Sequence, residues 1–211
     1  MTNRVAPAQA GDPPLTETQS IARLKQGDLA GLEALVQRHQ VKAVHLALLI
    51  VRDRALAEEI VQNSFFHAVQ KIDQFDASRS FGPWFLKSVA NAALQEANRQ
   101  QRMISLDGDD PDETAQVAAW LVDPSRCPED LVESAELYRS VWKALDQLPP
   151  DQRTAIVLRY LQDYSEAEVT RALQRPPTTI KWWLHAARQR LRHILQREYD
   201  AAPEDQEAPH E

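Results

Sequence analysis

Apolar residues recur every three or four positions along most of the chain, which is the period of an amphipathic α-helix. One such segment follows Asp28 and another follows Asp53, and each aspartate is expected to cap its helix. A third is predicted from Phe81 to about Arg102, with Pro83 in the first turn, where proline is tolerated. No segment alternates apolar and polar residues between hairpin turns. The pattern therefore predicts an all-α protein.

The C-terminal part of the chain repeats the helical pattern in shorter pieces. A helix from Pro128 is expected to stop at Pro149-Pro150, and the next to run from Asp151 to about Leu161. Ser165 and Glu168 have the spacing of a capping box, in which each side chain bonds the other residue's backbone.

The capped helix and the helix after it predict a helix-turn-helix. The first ends near Gln174, and Pro176-Pro177 forces a turn. Thr178 or Thr179 is expected to cap the last helix, which is basic on its outer face. Two short helices around a tight turn, the second one basic, are typical of DNA-binding proteins. The alternative for the basic face alone is a solvated surface.

The charge is distributed unevenly between these segments. The whole chain has a net charge of −7, which taken as evenly spread argues against nucleic-acid binding. Residues 20–103 have a net charge of +3 and residues 136–199 of +4, whereas residues 104–135 have −8. The division predicted is a disordered N-terminus (1–19), a first helical domain (20–103), an acidic linker (104–134), a helix-turn-helix domain (135–197) and an acidic tail (198–211).

Several classes of function are unsupported by the sequence. Cys127 is the single cysteine, so a disulfide framework is excluded and a reducing cytoplasm is favoured. No apolar run is long enough for membrane insertion, and the N-terminus has no export signal. We find no glycine-rich phosphate loop, nucleophile elbow or metal-binding histidine pair, and predict neither an enzyme nor a cofactor or metal site.

Several short motifs together resemble the extracytoplasmic-function (ECF) group of bacterial RNA polymerase sigma factors. Residues 57–65, followed by Phe81, Trp84, Val89 and Asn91, are similar to the promoter-melting domain of that group, its region 2. Residues 148–161 and 165–191 are similar to its C-terminal helix-turn-helix domain, region 4. The resemblance implies a region 2-like bundle and a region 4-like domain, with core RNA polymerase, promoter DNA and an anti-sigma factor as partners.

The resemblance implies a polymerase-binding patch on the first domain. The residues at the matching positions are polar and lie off the apolar stripe, so they suit a basic helical partner. They are Glu58, Glu59, Gln62 and Asn63. Asn63 departs from the family, which usually has glutamate there. Without the resemblance, the same residues are ordinary solvated helix surface.

The first domain is also expected to open the promoter at its minus-ten element. The loop that captures an unstacked base matches Ser78, Arg79 and Ser80, and donors to phosphates and base edges follow on the next helix at Lys87, Asn91, Asn98, Arg99 and Arg102. Gly82 and Gln95 depart from the family, which often has arginine and aspartate there. Trp84 could stack on a base, but its place on the apolar stripe favours core packing.

The last helix is expected to read the minus-thirty-five element through the major groove. The candidate residues are Thr178, Thr179, Lys181, Trp182, Trp183 and Arg188. Both tryptophans depart from the family, and counting from Ile180 places both off the apolar stripe, so both are expected to be exposed. They could contact a partner or the other domain, or touch thymine methyl groups and sugars.

Two functions of different classes follow. The first is a sigma factor that binds core RNA polymerase and directs promoter recognition, opening and transcription initiation. The second is a sigma-like interaction protein that captures an anti-sigma factor without reading DNA, which the altered last helix favours. A plain helix-turn-helix repressor comes third, because it has no need of the patch on the first domain. The acidic linker is expected to follow the polymerase cleft, with Trp120-Leu121-Val122 as an apolar anchor or a short helix.

Overall fold

The computed structural model describes residues 15–104 and 140–201, and these residues are helical apart from short turns. They contain no strand, which confirms the predicted all-α class for the described part of the chain. The expectations for the acidic linker, for Trp120-Leu121-Val122 and for most of the two termini lie outside the described residues.

The first module consists of four helices: α1 (Glu17–Lys25), α2 (Leu29–Val51), α3 (Arg54–Gln70) and α4 (Phe81–Ile104). The predicted caps are confirmed, because the Asp28 carboxylate accepts the Ala30 N–H at 3.0 Å and the Asp53 carboxylate accepts the Leu56 N–H at 3.0 Å. Helix α1 starts within the segment expected to be disordered. Its own capping box, formed by Thr16 and Gln19, defines its start.

Helices α1 and α2 approach each other closely at Gly31. A Cβ atom on that glycine would lie 2.3 Å from the Ser20 carbonyl oxygen and 2.8 Å from the Leu24 backbone nitrogen. Both atoms belong to the backbone of α1, so no side-chain movement can make room. The absence of a side chain at Gly31 therefore allows α1 to pack closely on α2. Helix α1 in turn provides Glu17, which bonds to the start of α4.

The second module contains a helix over residues 140–146 (α5), then α6 (Pro150–Ile156), α7 (Glu166–Leu173) and α8 (Pro177–Ala201). A π-helical turn, Val157–Leu161, continues α6. The predicted capping box is confirmed, since the Ser165 hydroxyl accepts the Glu168 N–H at 3.3 Å and the Glu168 carboxylate accepts the Ser165 N–H at 2.8 Å. Gln174 ends α7 in the left-handed conformation, with φ of 52°.

The prediction that Thr178 or Thr179 caps the last helix is wrong. Helix α8 begins at Pro177, and the Ile180 N–H donates to the Pro176 carbonyl at 3.1 Å. Thr178 and Thr179 therefore lie inside the first turn rather than before it. Proline suits the first helical position because its ring presets φ and its missing N–H is not needed there, so the prolines start the helix instead of merely preceding it.

One apolar core runs through both modules. In the first module, Phe81 and Phe85 of α4 stack at a ring distance of 5.5 Å, and Phe85 stacks on Phe65 of α3 at 4.2 Å. The Trp84 ring lies 4.9 Å from Phe75 and packs against the core, as its place on the stripe predicted. Helix α4 also contacts α6 and α7, so the second module rests directly on it.

Candidate nucleic-acid and polymerase interface

The four residues expected to bind polymerase form one exposed patch on α3. Glu58, Glu59, Gln62 and Asn63 all face solvent, and their spacing of one and four residues places them on one side of the helix. Glu58 also accepts a hydrogen bond from Arg54 at 2.9 Å. The patch is thus a polar surface with two adjacent carboxylates, and it contributes nothing to the core.

An apolar groove lies beside this patch, between α2 and α3. Its volume is about 380 Å³, and its walls are mostly aliphatic and aromatic side chains, among them Val36, Val44 and Phe65. Phe66 lines it and is 61% exposed, while Glu58 and Gln62 form part of its edge. Glu58 and Gln62 of the patch therefore border an apolar groove. The groove is formed by two helices that pack side by side, so no local pattern in the sequence indicates it.

The loop expected to capture a base is exposed and locally ordered by Asp76. The Asp76 carboxylate accepts the Ser78 N–H at 3.0 Å and the Ser78 hydroxyl at 2.7 Å, and these bonds lower the pKa of Asp76. Arg79 lies 3.4 Å from the same carboxylate, and its side chain is 80% exposed. Ser80 is exposed as well. The loop thus presents hydroxyl and guanidinium donors to solvent from a fixed turn.

A residue from far away in the sequence holds the start of α4. One oxygen of Glu17 accepts the Phe81 N–H at 2.8 Å, and the other lies 3.0 Å from His39 Nε2. Burial lowers the pKa of His39 below its ordinary value of 6.5, although Glu17 acts in the opposite direction. Burial thus favours the neutral imidazole, and Nε2 is the ring nitrogen positioned to donate to the Glu17 carboxylate. Sequence reasoning missed this pair because no local pattern connects α1, α2 and α4.

The candidate DNA contacts on α4 do not all share one environment. Lys87, Asn91, Asn98 and Arg102 follow each other at intervals of four, seven and four residues, which places them on one face of the helix. Asn91 and Asn98 are half-buried there because the second module packs on that face. Arg99 points elsewhere and pairs with Glu96 at 2.6 Å, which lowers the pKa of Glu96.

The candidate contacts on α8 are open to solvent, with two exceptions, Thr179 and Trp183. Thr178, Lys181 and Trp182 are exposed at the start of the helix, and Thr179 is half-buried. Arg188 is exposed on the next turns and donates from Nε to the Leu184 carbonyl at 3.1 Å. These donors lie on the outer side of the second helix of a helix-turn-helix, the element that enters the major groove in that motif.

The expectation that both tryptophans are exposed is wrong for Trp183. Trp182 is 61% exposed, but Trp183 is only 8% exposed and belongs to the core cluster. Trp183 follows Ile180 by three residues and precedes Ala187 by four, so it lies on the buried face of the helix. Trp183 is therefore removed from the candidate DNA contacts. Of the two tryptophans, only Trp182 is exposed enough to contact DNA or a partner.

The described residues offer neither a membrane-spanning helix nor a metal site. None of the helices in the described ranges is long and apolar enough to cross a membrane. Within residues 15–104 and 140–201, no group of three or more histidine, cysteine, aspartate or glutamate side chains could hold a metal ion.

The fold and the exposed surfaces define a class: a two-module helical protein whose C-terminal module is a helix-turn-helix. The family model of Sigma-70 region 2 matches residues 35–103, and that of Sigma-70, region 4 matches residues 138–191. The two matches together cover more than half of the chain. The chain belongs to the ECF group of RNA polymerase sigma factors, as the motifs indicated.

Similar proteins span nearly the same length. The ECF sigma factor SigW of Bacillus subtilis is 29% identical over 176 residues, which cover 83% of this chain and 94% of SigW. The ECF sigma-E factor of Haemophilus influenzae is 29% identical over 188 residues, covering 86% of this chain and 96% of that protein. Both similarities therefore extend over two regions and the segment between them.

Two solved structures have the same fold. The sigma factor RpoE, in a co-crystal with the anti-sigma factor NepR from Bartonella quintana, aligns with a TM-score of 0.56 and 22% identity, over 82% of this chain and 98% of RpoE. CnrH, in complex with the cytosolic domain of CnrY, aligns with a TM-score of 0.56 and 20% identity, over 85% of this chain and 97% of CnrH.

Proposed function

We propose that this sigma factor docks on core RNA polymerase through α3, opens the promoter with α4 and the loop before it, and reads the upstream element with α8. The observation that carries the proposal is the placement of Lys181 and Trp182. They lie exposed at the start of α8, opposite a stripe of buried residues, immediately after the capped α7 and its left-handed turn. A helix held in this way presents its outer side chains to a groove.

The docking part of the proposal assigns Glu58, Glu59, Gln62 and Asn63 to the polymerase. Two adjacent carboxylates suit a basic partner, and the neighbouring groove offers apolar area beyond the polar edge. An interface of this kind gains specificity from the charges and affinity from the apolar groove.

The DNA-binding part assigns two sets of donors on two helices. Ser78, Arg79 and Ser80, with the polar residues of α4, take the opened minus-ten strand. Thr178, Thr179, Lys181, Trp182 and Arg188 take the duplex of the minus-thirty-five element. The net charges of the two modules, +3 and +4, are small. Affinity for DNA must then come partly from the polymerase, which also supplies contacts to the promoter.

We also propose what regulates the chain, where it acts and whether it is an enzyme. The solved structures of RpoE and CnrH are complexes, the first with an anti-sigma factor. We propose that an anti-sigma factor also captures this chain, and that it acts in the cytoplasm, where its polymerase partner acts. It acts there as an initiation factor without enzymatic activity of its own.

The test is capture of promoter DNA with core polymerase. The full chain, tagged and mixed with core polymerase, is incubated with sheared genomic DNA, and the retained fragments are sequenced and used for run-off transcription. We expect a shared two-part motif and transcripts that need the chain. Retention of polymerase without any enriched fragment would instead support the interaction protein that captures a partner without reading DNA.

The docking patch is tested with Glu59→Lys. Reversing this charge should weaken binding to core polymerase by about tenfold or more, because a rim charge that steers association becomes repulsive. Glu166→Lys is the matched control, since it makes the same change at an exposed position of the second module. Equal binding by both variants would remove α3 from the interface.

A further inference from the structure

The second module covers the face of α4 that is assigned to DNA. The Asn91 side-chain amide donates both hydrogens, one to the Lys87 carbonyl at 2.9 Å and one to the Ala172 carbonyl at 2.8 Å. Ala172 lies in the last turn of α7, where helix carbonyls need partners from outside the helix. Asn98 donates to the Asp151 carboxylate of α6 at 3.4 Å. A base edge cannot use the Asn91 amide until the contact to Ala172 breaks.

A cluster of three charged residues joins the modules beside this face. Arg52, which ends α2 in the left-handed conformation, pairs with Asp146 of the second module. Arg153 Nη1 lies 3.8 Å from the same Asp146 oxygen. Asp146 thus carries one negative charge between two guanidinium groups, one from each module.

The charged cluster is an imperfect contact. The Arg153 side chain is only 6% exposed, and its Nε and Nη1 atoms have no hydrogen-bond partner among the described residues. Burial and the nearby Arg52 lower the pKa of Arg153 to about 9. A cavity of about 150 Å³ lies next to it, between Ala97 and Gln101 of α4 and Pro150 of α6. Unpaired buried donors and unfilled volume both reduce the stability of an interface.

We propose that this closed arrangement is an autoinhibited state of the chain, in which the second module masks the DNA face of α4 and Arg52, with Asp146, acts as the latch between modules. The inference rests on the proposed use of α4 by promoter DNA. Closure and DNA contact at α4 exclude each other, since both need the Asn91 amide. Because the interface is imperfect, a partner that prefers the open form can shift the population.

The first experiment locks the latch. Cysteines replace Arg52 and Asp146 in a Cys127→Ser background, and a short bismaleimide cross-links them. In the presence of core polymerase, the cross-linked chain should give at least about tenfold less run-off transcript than the same protein without cross-linker. The DNA is the set of fragments enriched in the capture experiment. Equal transcript from the cross-linked and free forms would overturn the inference.

The second experiment opens the latch. Arg52→Asn removes the link between modules, leaves Asp146 paired with Arg153 and keeps a residue that accepts the left-handed conformation. Spin labels on cysteines replacing Gln37 and Gln189, both exposed, report the distance between modules. We expect a longer or broader distance distribution and about fivefold tighter binding to the enriched fragments. Lys71→Asn, at the exposed end of α3, is the matched control.

The outcomes separate the two proposals. A closed distance in the native chain, with release by Arg52→Asn and loss of transcript on cross-linking, supports the latch. An unchanged distance in Arg52→Asn, with native thermal unfolding, overturns it. If no fragment is enriched and no variant supports transcription, the proposed function fails. The inhibitory role fails with it, even where the distance measurements find the closed form.

Discussion

The two helices assigned to DNA, α4 and α8, are held in opposite ways. Helix α4 begins at a distant anchor, because Glu17 of α1 accepts the Phe81 N–H, and its donor face is half-buried under the second module. Helix α8 begins at a local signal, the Pro176-Pro177 pair, and its first exposed turns carry Lys181 and Trp182. The helix to which promoter opening is assigned is thus the one whose donor face contacts the second module. If both helices bind DNA as proposed, the exposed donors of α8 need no rearrangement, whereas Asn91 of α4 must first lose its bond to Ala172.

The largest expected effect is on the packing of α8 in the core of the second module. Trp183→Ala should destabilise the second module by about 3–5 kcal/mol, because a large buried side chain leaves a cavity in the core. Denaturant unfolding measures this change. Trp182→Ala, one residue away, should alter stability by no more than about 0.5 kcal/mol, as for other exposed positions. Equal losses would mean that α8 buries a different face from the one described.

The anchor of α4 is tested next. Glu17→Ala should cost about 1–2 kcal/mol, because the Phe81 N–H and His39 both lose their partner. Hydrogen exchange of the amides at the start of α4 should rise more than that of α8. Glu33→Ala, an exposed glutamate on α2, is the control and should leave both helices unchanged. A uniform rise in both helices would refute a local anchor.

Because Lys181 is exposed on α8, replacing it should change DNA binding without changing the stability of the fold. Lys181→Ala should weaken contact to the upstream element and lower the slope of log affinity against log salt by about one, since one phosphate contact is lost. Binding titrations at several salt concentrations measure this slope. Lys143→Ala removes an exposed lysine of the same module and serves as the control. An unchanged slope removes Lys181 from the interface.

The smallest expected effect is a pH dependence confined to the first module. The pKa of His39 lies below 6.5 in the folded chain, so the unfolded chain binds a proton more readily. The stability that His39 contributes is present above pH 6.5 and is lost as pH falls through its lower folded pKa. Comparing unfolding of the native chain and His39→Gln between about pH 5 and 8 isolates this part. Parallel pH profiles would show that His39 contributes nothing.

Much of the local structure was readable from the sequence. The caps at Asp28, Asp53 and Ser165 and the all-α class are confirmed, because caps and helical periods depend on residues within one or two turns of each other. The family followed from short motifs in the right order. The error at Trp183 was also local. Its three-residue spacing from Ile180 places it on the buried face, and no long-range information was needed to see that.

Other features were decided only by tertiary structure. The Glu17 anchor joins residues 64 positions apart, and the contact of Asn91 with Ala172 joins residues 81 positions apart. The groove beside Glu58 and the cluster of Arg52, Asp146 and Arg153 likewise need helices from different parts of the chain. The sequence by itself determined the helix starts after Asp28, Asp53 and Ser165 and, apart from Trp183, which side of these helices is apolar. Tertiary packing decided which polar faces remain exposed. An amphipathic pattern predicts which side of a helix is buried in its own module, but it does not predict whether another helix packs on the polar side.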